Sequence, residues 1–180
     1  MRAVLRGWIV GLAIIGIAVS AAACGTDSGP VTVPASIGPD RTVSPVVVGT
    51  RADIARVLGE RSIILADMES PVRPAEGPVL SFAPRAVFQA QLPADPEAGI
   101  IVVYELADPA AAASAAADQA TYLASGPGRV QYPDPARHVI RVVGSTVIFY
   151  TWIPESAEDP LTPEVAAALA TLGTGVDVPK

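Results

Sequence analysis

A single histidine limits what this chain can catalyse. Nucleophilic catalysis needs a base beside the nucleophile, and His138 is the only imidazole in 180 residues. No G-x-S-x-G, S-x-x-K, P-loop or G-x-G-x-x-G is present. Ser81 lies in a strand-like run (LSFAP), where a packed or hydrogen-bonded hydroxyl is the simpler reading. His138 alternates with Ile140 and Val142, which makes it a core or edge histidine rather than a base, because geometry and not presence makes a base. A catalytic zinc site needs about three protein ligands, usually with His among them. One His supplies no such set, so no metal is expected. Asp67 and Glu69 share a strand face but lack an Asp-x-Asp-x-Asp-Gly loop, which points to a solvated pair rather than a calcium site. Glu155, Glu158 and Asp159 read as a solvated acidic loop, and nothing singles out two carboxylates as a glycosidase pair. The Gly126-Pro127-Gly128 run has no following Lys and reads as a turn.

One constellation has the composition of a recognition surface. Gly144-Ser145 between two apolar runs is the signature of a type II′ hairpin turn. Pairing Val143 with Thr146 places Arg137, Val139, Arg141, Ile148, Tyr150 and Trp152 on one face. His138, Ile140, Val142, Val147, Phe149 and Thr151 fall on the other. With helices over the His138 face, Arg137, Arg141, Tyr150 and Trp152 would stand together on an open one. Arg beside Trp and Tyr suits a saccharide, a peptide or an acidic envelope protein as partner. The structural alternative is that Tyr150 and Trp152 simply cover that face, with the Arg stems packed on them.

The elements that must position these residues follow from caps and periodicity. Thr50 is placed to cap a helix over Arg51–Leu58, with Asp53 at the capping-box position and Gly59 as its stop. Ser62–Met68 reads as a strand, and Val79–Gln91 as one bent strand or two short ones interrupted at Pro84. Ile100–Leu106 (IIVVYEL) is the strongest strand signal. Asp108-Pro109 caps an Ala-rich helix running to about Ala124. Thr162-Pro163-Glu164 repeats that device for a last helix lined by Val165, Leu169 and Leu172 and ended by Gly173. The economical assembly is α+β: a mostly antiparallel sheet with helices packed on one face, in two layers.

The N-terminus carries an address. Arg2 and Arg6 make a positive region, and Gly7–Val19 is an uncharged apolar run of 13 residues, the length of a signal-peptide core. Ser20-Ala21-Ala22-Ala23-Cys24 follows. Small residues ahead of a Cys resemble the lipobox of bacterial lipoproteins, in which the peptidase cuts before the Cys and its thiol carries diacylglyceryl. The family prefers Leu where this chain has Ala21. Ala21-Ala22-Ala23 also fits ordinary A-x-A cleavage, and the 17 apolar or small residues of Gly7–Ala23 sit at the short limit for a membrane span. Cys24 discriminates among the three. As the sole cysteine it has no intramolecular disulfide partner, and lipidation best explains a thiol at that position of an exported chain. The expected location is extracytoplasmic, held to the cell membrane through lipid on Cys24.

Residues 24–49 are rich in Gly, Pro, Ser and Thr and bury too little to offset their ordering entropy. They read as an extended tether between the signal at 1–23 and a single domain at 50–178. Loss of Arg2 and Arg6 with the signal leaves ten basic against 18 acidic residues, moving the net charge from −6 to −8. So acidic a chain is a poor ligand for nucleic acid. No cofactor is expected.

The phrases PVLSFAPRAV, VVYELADPAAAASAAA, RHVIRVVGSTVIFY and AAALATLG, in that order, resemble a family of small secreted bacterial lipoproteins whose function is unassigned. The resemblance covers about Thr50 to Val176. It implies an α+β domain behind a lipid anchor and no activity. Trp152 and the PESAEDPL segment depart from the family's shorter loop. Two function classes follow from the residues: a non-catalytic binding or interaction module of the envelope, and, as the alternative, a cell-surface hydrolase using a carboxylate pair.

Overall fold

The computed structural model describes residues 44–69, 73–132 and 134–180. The segment read as a signal peptide, Cys24 and the stretch read as tether up to residue 43 lie outside the described residues.

Helix α1 (Pro45–Gly59) starts five residues before Thr50, inside the stretch read as tether. The cap is Ser44, whose Oγ accepts from Val47 N at 3.3 Å. Pro45, within the stretch read as tether, occupies the first turn, where its missing N–H costs nothing. Val47, Thr50, Ile54, Val57 and Leu58 then form one buried stripe. Thr50 is therefore inside the helix, and its hydroxyl bonds to that of Thr146 at 2.9 Å. The chain turns at Ser62 (φ 59) before β1 (Leu65–Met68), which is shorter than the run that suggested it.

Val79–Gln91 divides differently from expectation. Pro78 opens a short helix, α2 (Pro78–Phe82), and strand β2 (Arg85–Ala90) begins only after Pro84. Ser81 is thus helical, and its Oγ donates to Pro78 O at 2.8 Å. Strand β3 (Ile100–Glu105) leads into α3 (Pro109–Ala124), where Asp108 accepts from Ala111 N at 2.8 Å. The Gly-Pro-Gly run opens a further short helix, α4 (Gly126–Gln131), capped by Ser125. Strands β4 (Arg137–Val143) and β5 (Thr146–Trp152) form the hairpin. A 3-10 turn (Pro154–Ser156) and α5 (Thr162–Leu169) follow, then β6 (Thr174–Gly175), which adds to the edge of β4.

All pairings are antiparallel, in the order β1-β2-β3-β5-β4-β6, so the domain is α+β. The hairpin register has Val143 opposite Thr146, Arg141 opposite Ile148, Val139 opposite Tyr150 and Arg137 opposite Trp152. Gly144 takes φ 56 while Ser145 does not enter the left-handed region, as a type II′ turn requires.

Helices cover both faces of the sheet rather than one. On the first face Ile54 and Leu58 of α1 and Val165 and Leu169 of α5 pack with Phe88, Ile101, Val103, Ile148 and Tyr150. On the second, Leu80 of α2 and the alanines of α3 pack with Val102, Tyr104, Ile140, Val147 and Phe149. The reason lies in the central strands. Ile101–Tyr104 and Thr146–Tyr150 are buried without alternation, as strands sandwiched between two helical layers must be. Alanines at Ala112, Ala115, Ala116 and Ala120 keep α3 close to the second face.

Candidate functional site

The hairpin residues proposed as an open surface are not together on one. Tyr150 is 1% exposed, beneath the layer formed by α1 and α5. Arg141 ties down the turn between α5 and β6, its Nε donating to Leu172 O and its Nη2 to Gly173 O at 2.8 Å. Both carbonyls accept from it, so this guanidinium is consumed by the fold. Arg137 is exposed on β4, opposite Trp152. Trp152 is half-buried and stacks on Tyr150, with ring centroids 5.5 Å apart and planes 18° from parallel. The face assignment fails as an open surface because the helices at its back were placed on one side only.

Tyr150 and Trp152 nonetheless line a cleft of about 420 Å³. It sits at the end of the sheet where β3 begins and antiparallel β5 ends, with Ile101 opposite Tyr150. Tyr132 and Thr151 reach it from the α3 side of the sheet. Three segments form its walls, and each is tied to the fold by side-chain hydrogen bonds.

The first wall is Arg73-Pro74. The strap that follows is pinned to α3 by Gln119, which is buried and bridges Gly77 N (2.7 Å) and Ala75 O (2.8 Å). Tyr132 OH accepts from Ala75 N at 3.1 Å. Glu76 turns inward, where Tyr104 OH donates to it at 2.7 Å and Arg85 and Arg73 lie at 3.5 and 3.6 Å. Burial first, and the Glu76 carboxylate second, hold the Tyr104 phenol far above its ordinary pKa.

The second wall is the loop Asp95–Ile100. Gln89 Nε2 donates to Pro96 O (2.7 Å) and Ala98 O (3.0 Å). Gly99 turns the chain with φ 79, and a Cβ there would collide with the Ala90 carbonyl, so only glycine fits.

The third wall runs from Thr151 to Ala157 and ends at Thr162. Asp159, read from sequence as part of a solvated acidic loop, is 3% exposed. Its two oxygens accept from Ala94 N and Leu161 N, both at 2.8 Å. This carboxylate therefore ties the second wall to the third. Glu155 and Glu158 are exposed, as that reading had them. Thr162, expected as a cap, lies in the first turn of α5, and its buried hydroxyl finds no partner among the described residues.

The remaining polar candidates are engaged in the fold. His138 stacks on Phe149 (6.1 Å, 14°) and meets the edge of Tyr132 (5.3 Å, 69°). Its Nδ1 lies 2.8 Å from Thr151 Oγ1, which itself donates to Arg137 O. The hydroxyl proton being used there, Nδ1 must be the donor. Burial lowers the His138 pKa below the ordinary imidazole value. Asp67 pairs in bidentate fashion with Arg51 at 2.7 and 2.8 Å, and that bonded guanidinium lowers its pKa. Among the described residues no cluster of His, Cys, Asp and Glu is placed to hold a metal.

Within the cleft, aromatic and aliphatic side chains (Tyr132, Tyr150, Trp152, Ile100, Ile153) surround few polar groups. Burial, and then the charge of Asp95, raise the Tyr150 phenol above its ordinary pKa, so the hydroxyl stays protonated at neutral pH. Concave, mainly apolar sites of this size suit a small ligand rather than a protein surface. Arg73, Asp95 and Tyr132 carried no local sequence signal. They are distant in the chain and meet only because antiparallel pairing brings loop ends to one end of the sheet. Compared with known proteins, the chain matches no family model, no curated protein and no solved structure.

Proposed function

We propose that this chain is an extracytoplasmic lipoprotein, held to the cell membrane through Cys24, whose domain binds a small ligand without turning it over. The observation that carries the binding reading is the aromatic-lined cleft at the end of the sheet, walled by three segments that side-chain hydrogen bonds hold in place. A carboxylate-pair hydrolase would need a second acid beside Asp95. The nearby buried acid, Asp159, spends both oxygens on backbone N–H groups. The anchor reading rests on the apolar segment and the Ala-Ala-Ala-Cys junction.

Two measurements test the reading. Fatty-acid labelling in the native host should require Cys24, and Cys24→Ala should move the protein from membrane to medium. A wild-type protein found wholly in the medium with an unmodified Cys24 would refute the anchor. For the cleft, saturation-transfer NMR with cyclohexanol should show contact with the protein. Ala157→Phe, which fills the cleft from its half-buried rim, should abolish that contact. Signal that survives the filling, or no signal from the wild type, would refute a ligand-binding cleft.

A further inference from the structure

The charges around the cleft are unequal in how far they are already satisfied. Arg73 donates to Ser81 O at 3.0 Å and lies 3.6 Å from Glu76, with most of its side chain in solvent. Asp95 is half-buried, and among the described residues no hydrogen bond or ion pair engages its carboxylate. Glu76 is shared by Arg73 and Arg85, so with Asp95 these four charges sum to zero; Arg73 is screened by solvent at the rim, and Asp95 is the carboxylate at the cleft that no described residue engages. The half-buried rings of Tyr132 and Trp152 act in the same direction, because aromatic rings carry negative quadrupole potential on their faces and attract cations, whereas Tyr150, 1% exposed and stacked on Trp152, supports the Trp152 ring from behind. Among the described residues Asp95 is the only carboxylate lining the cleft, and the Tyr132, Tyr150 and Thr151 hydroxyls are bonded within the fold, so a small hydrated metal ion would lose its water shell without adequate replacement. A cation wrapped in alkyl groups has no such shell to lose, and its methyl groups match the Ile100, Ile153 and Ala157 surfaces.

We infer that the cleft takes an organic cation of the alkylated ammonium class, with Asp95 as counter-charge and Tyr132 and Trp152 as its aromatic wall. This deepens the binding reading above and rests on it. The acidic balance of the chain favours the same partner by concentrating cations near its surface. Arg73 opposes it at the rim, which sets a limit on affinity and supplies a control.

The test uses choline and its uncharged isostere 3,3-dimethylbutan-1-ol, which differ only in nitrogen against carbon at the branched centre. The full chain carries two tryptophans, Trp8 and Trp152. In a Trp8→Phe background, Trp152 emission then reports the cleft directly. Choline should bind about tenfold or more tightly than the alcohol, a margin that added salt reduces. Asp95→Asn should bring choline to the level of the alcohol. Arg73→Gln should strengthen choline binding severalfold. Equal binding of the two probes, or a preference for choline that survives Asp95→Asn, overturns the cation proposal. If both probes are silent while cyclohexanol contacts the protein, the cation proposal falls and the cleft reading stands. Silence from all three removes both.

Discussion

Replacing Asp159 tests whether the cleft is held by one buried carboxylate. Its oxygens accept from Ala94 N and Leu161 N, each at 2.8 Å, and the residue is 3% exposed. A hydrogen bond to a charged group contributes about 1.5–3 kcal/mol net, and a buried donor left without an acceptor costs about 1–3 kcal/mol. Asp159→Asn keeps one acceptor oxygen and turns an NH₂ group toward the second N–H, so one backbone donor is orphaned. The expected cost is about 2–3 kcal/mol. Asp159→Ala orphans both donors and leaves a small void, for about 3–5 kcal/mol. Both values lie below the roughly 5–15 kcal/mol of a typical domain, so the variants should still fold. Urea unfolding followed by far-UV circular dichroism should show a lowered midpoint at unchanged slope. Because the bond joins the loop at Ala94 to the loop at Leu161, cleft binding of cyclohexanol should weaken under conditions where the variant is still fully folded. A loss below about 0.5 kcal/mol, or an Ala variant no worse than Asn, would refute the reasoning, since surface changes reach only that size.

Two further outcomes follow from the hairpin and its histidine. Phe149→Ala deletes a ring that is 1% exposed and should cost about 3–5 kcal/mol, whereas Trp152→Ala, at a half-buried edge, should cost about 1–2 kcal/mol while removing cleft binding; urea midpoints for the two, reversed in order, would contradict the placement of these faces. Burial holds the His138 pKa below its unfolded value of about 6.5, so its contribution to stability is fully present above that pH and is lost as pH falls through the lower, folded value. His138→Gln should therefore flatten the fall in stability as pH drops below about 6.5, and an unchanged acid slope would show that another group sets it.

The hairpin was legible in sequence because its information is local. Gly144-Ser145 dictates the turn, the turn dictates that Val143 faces Thr146, and the period of two does the rest. Asp108-Pro109 announced α3 for the same reason, since a cap and the first helical residue are neighbours in the chain. Ser44-Pro45 is the same device, overlooked inside a Pro-rich stretch where it looked like more of the tether. Pro78 likewise started a helix where alternation suggested a strand, because Pro suits a first turn as well as a break.

What the sequence could not decide was which surfaces meet. It determined the central strand β3, the hairpin with its register and the Ala-rich helix. The unbroken burial of Ile101–Tyr104 was written in IIVVY, yet only the tertiary structure set α1 and α5 on one face and α2 and α3 on the other. That placement divided a proposed open face, sending Tyr150 into the core, Arg141 to the turn after α5 and Trp152 to the cleft wall, with Arg137 left exposed. Arg73, Asp95, Tyr132 and Trp152 are scattered over about eighty positions and share no spacing. They come together because antiparallel strands return the chain to the same end of the sheet, and side-chain packing, which no local pattern encodes, leaves a space there.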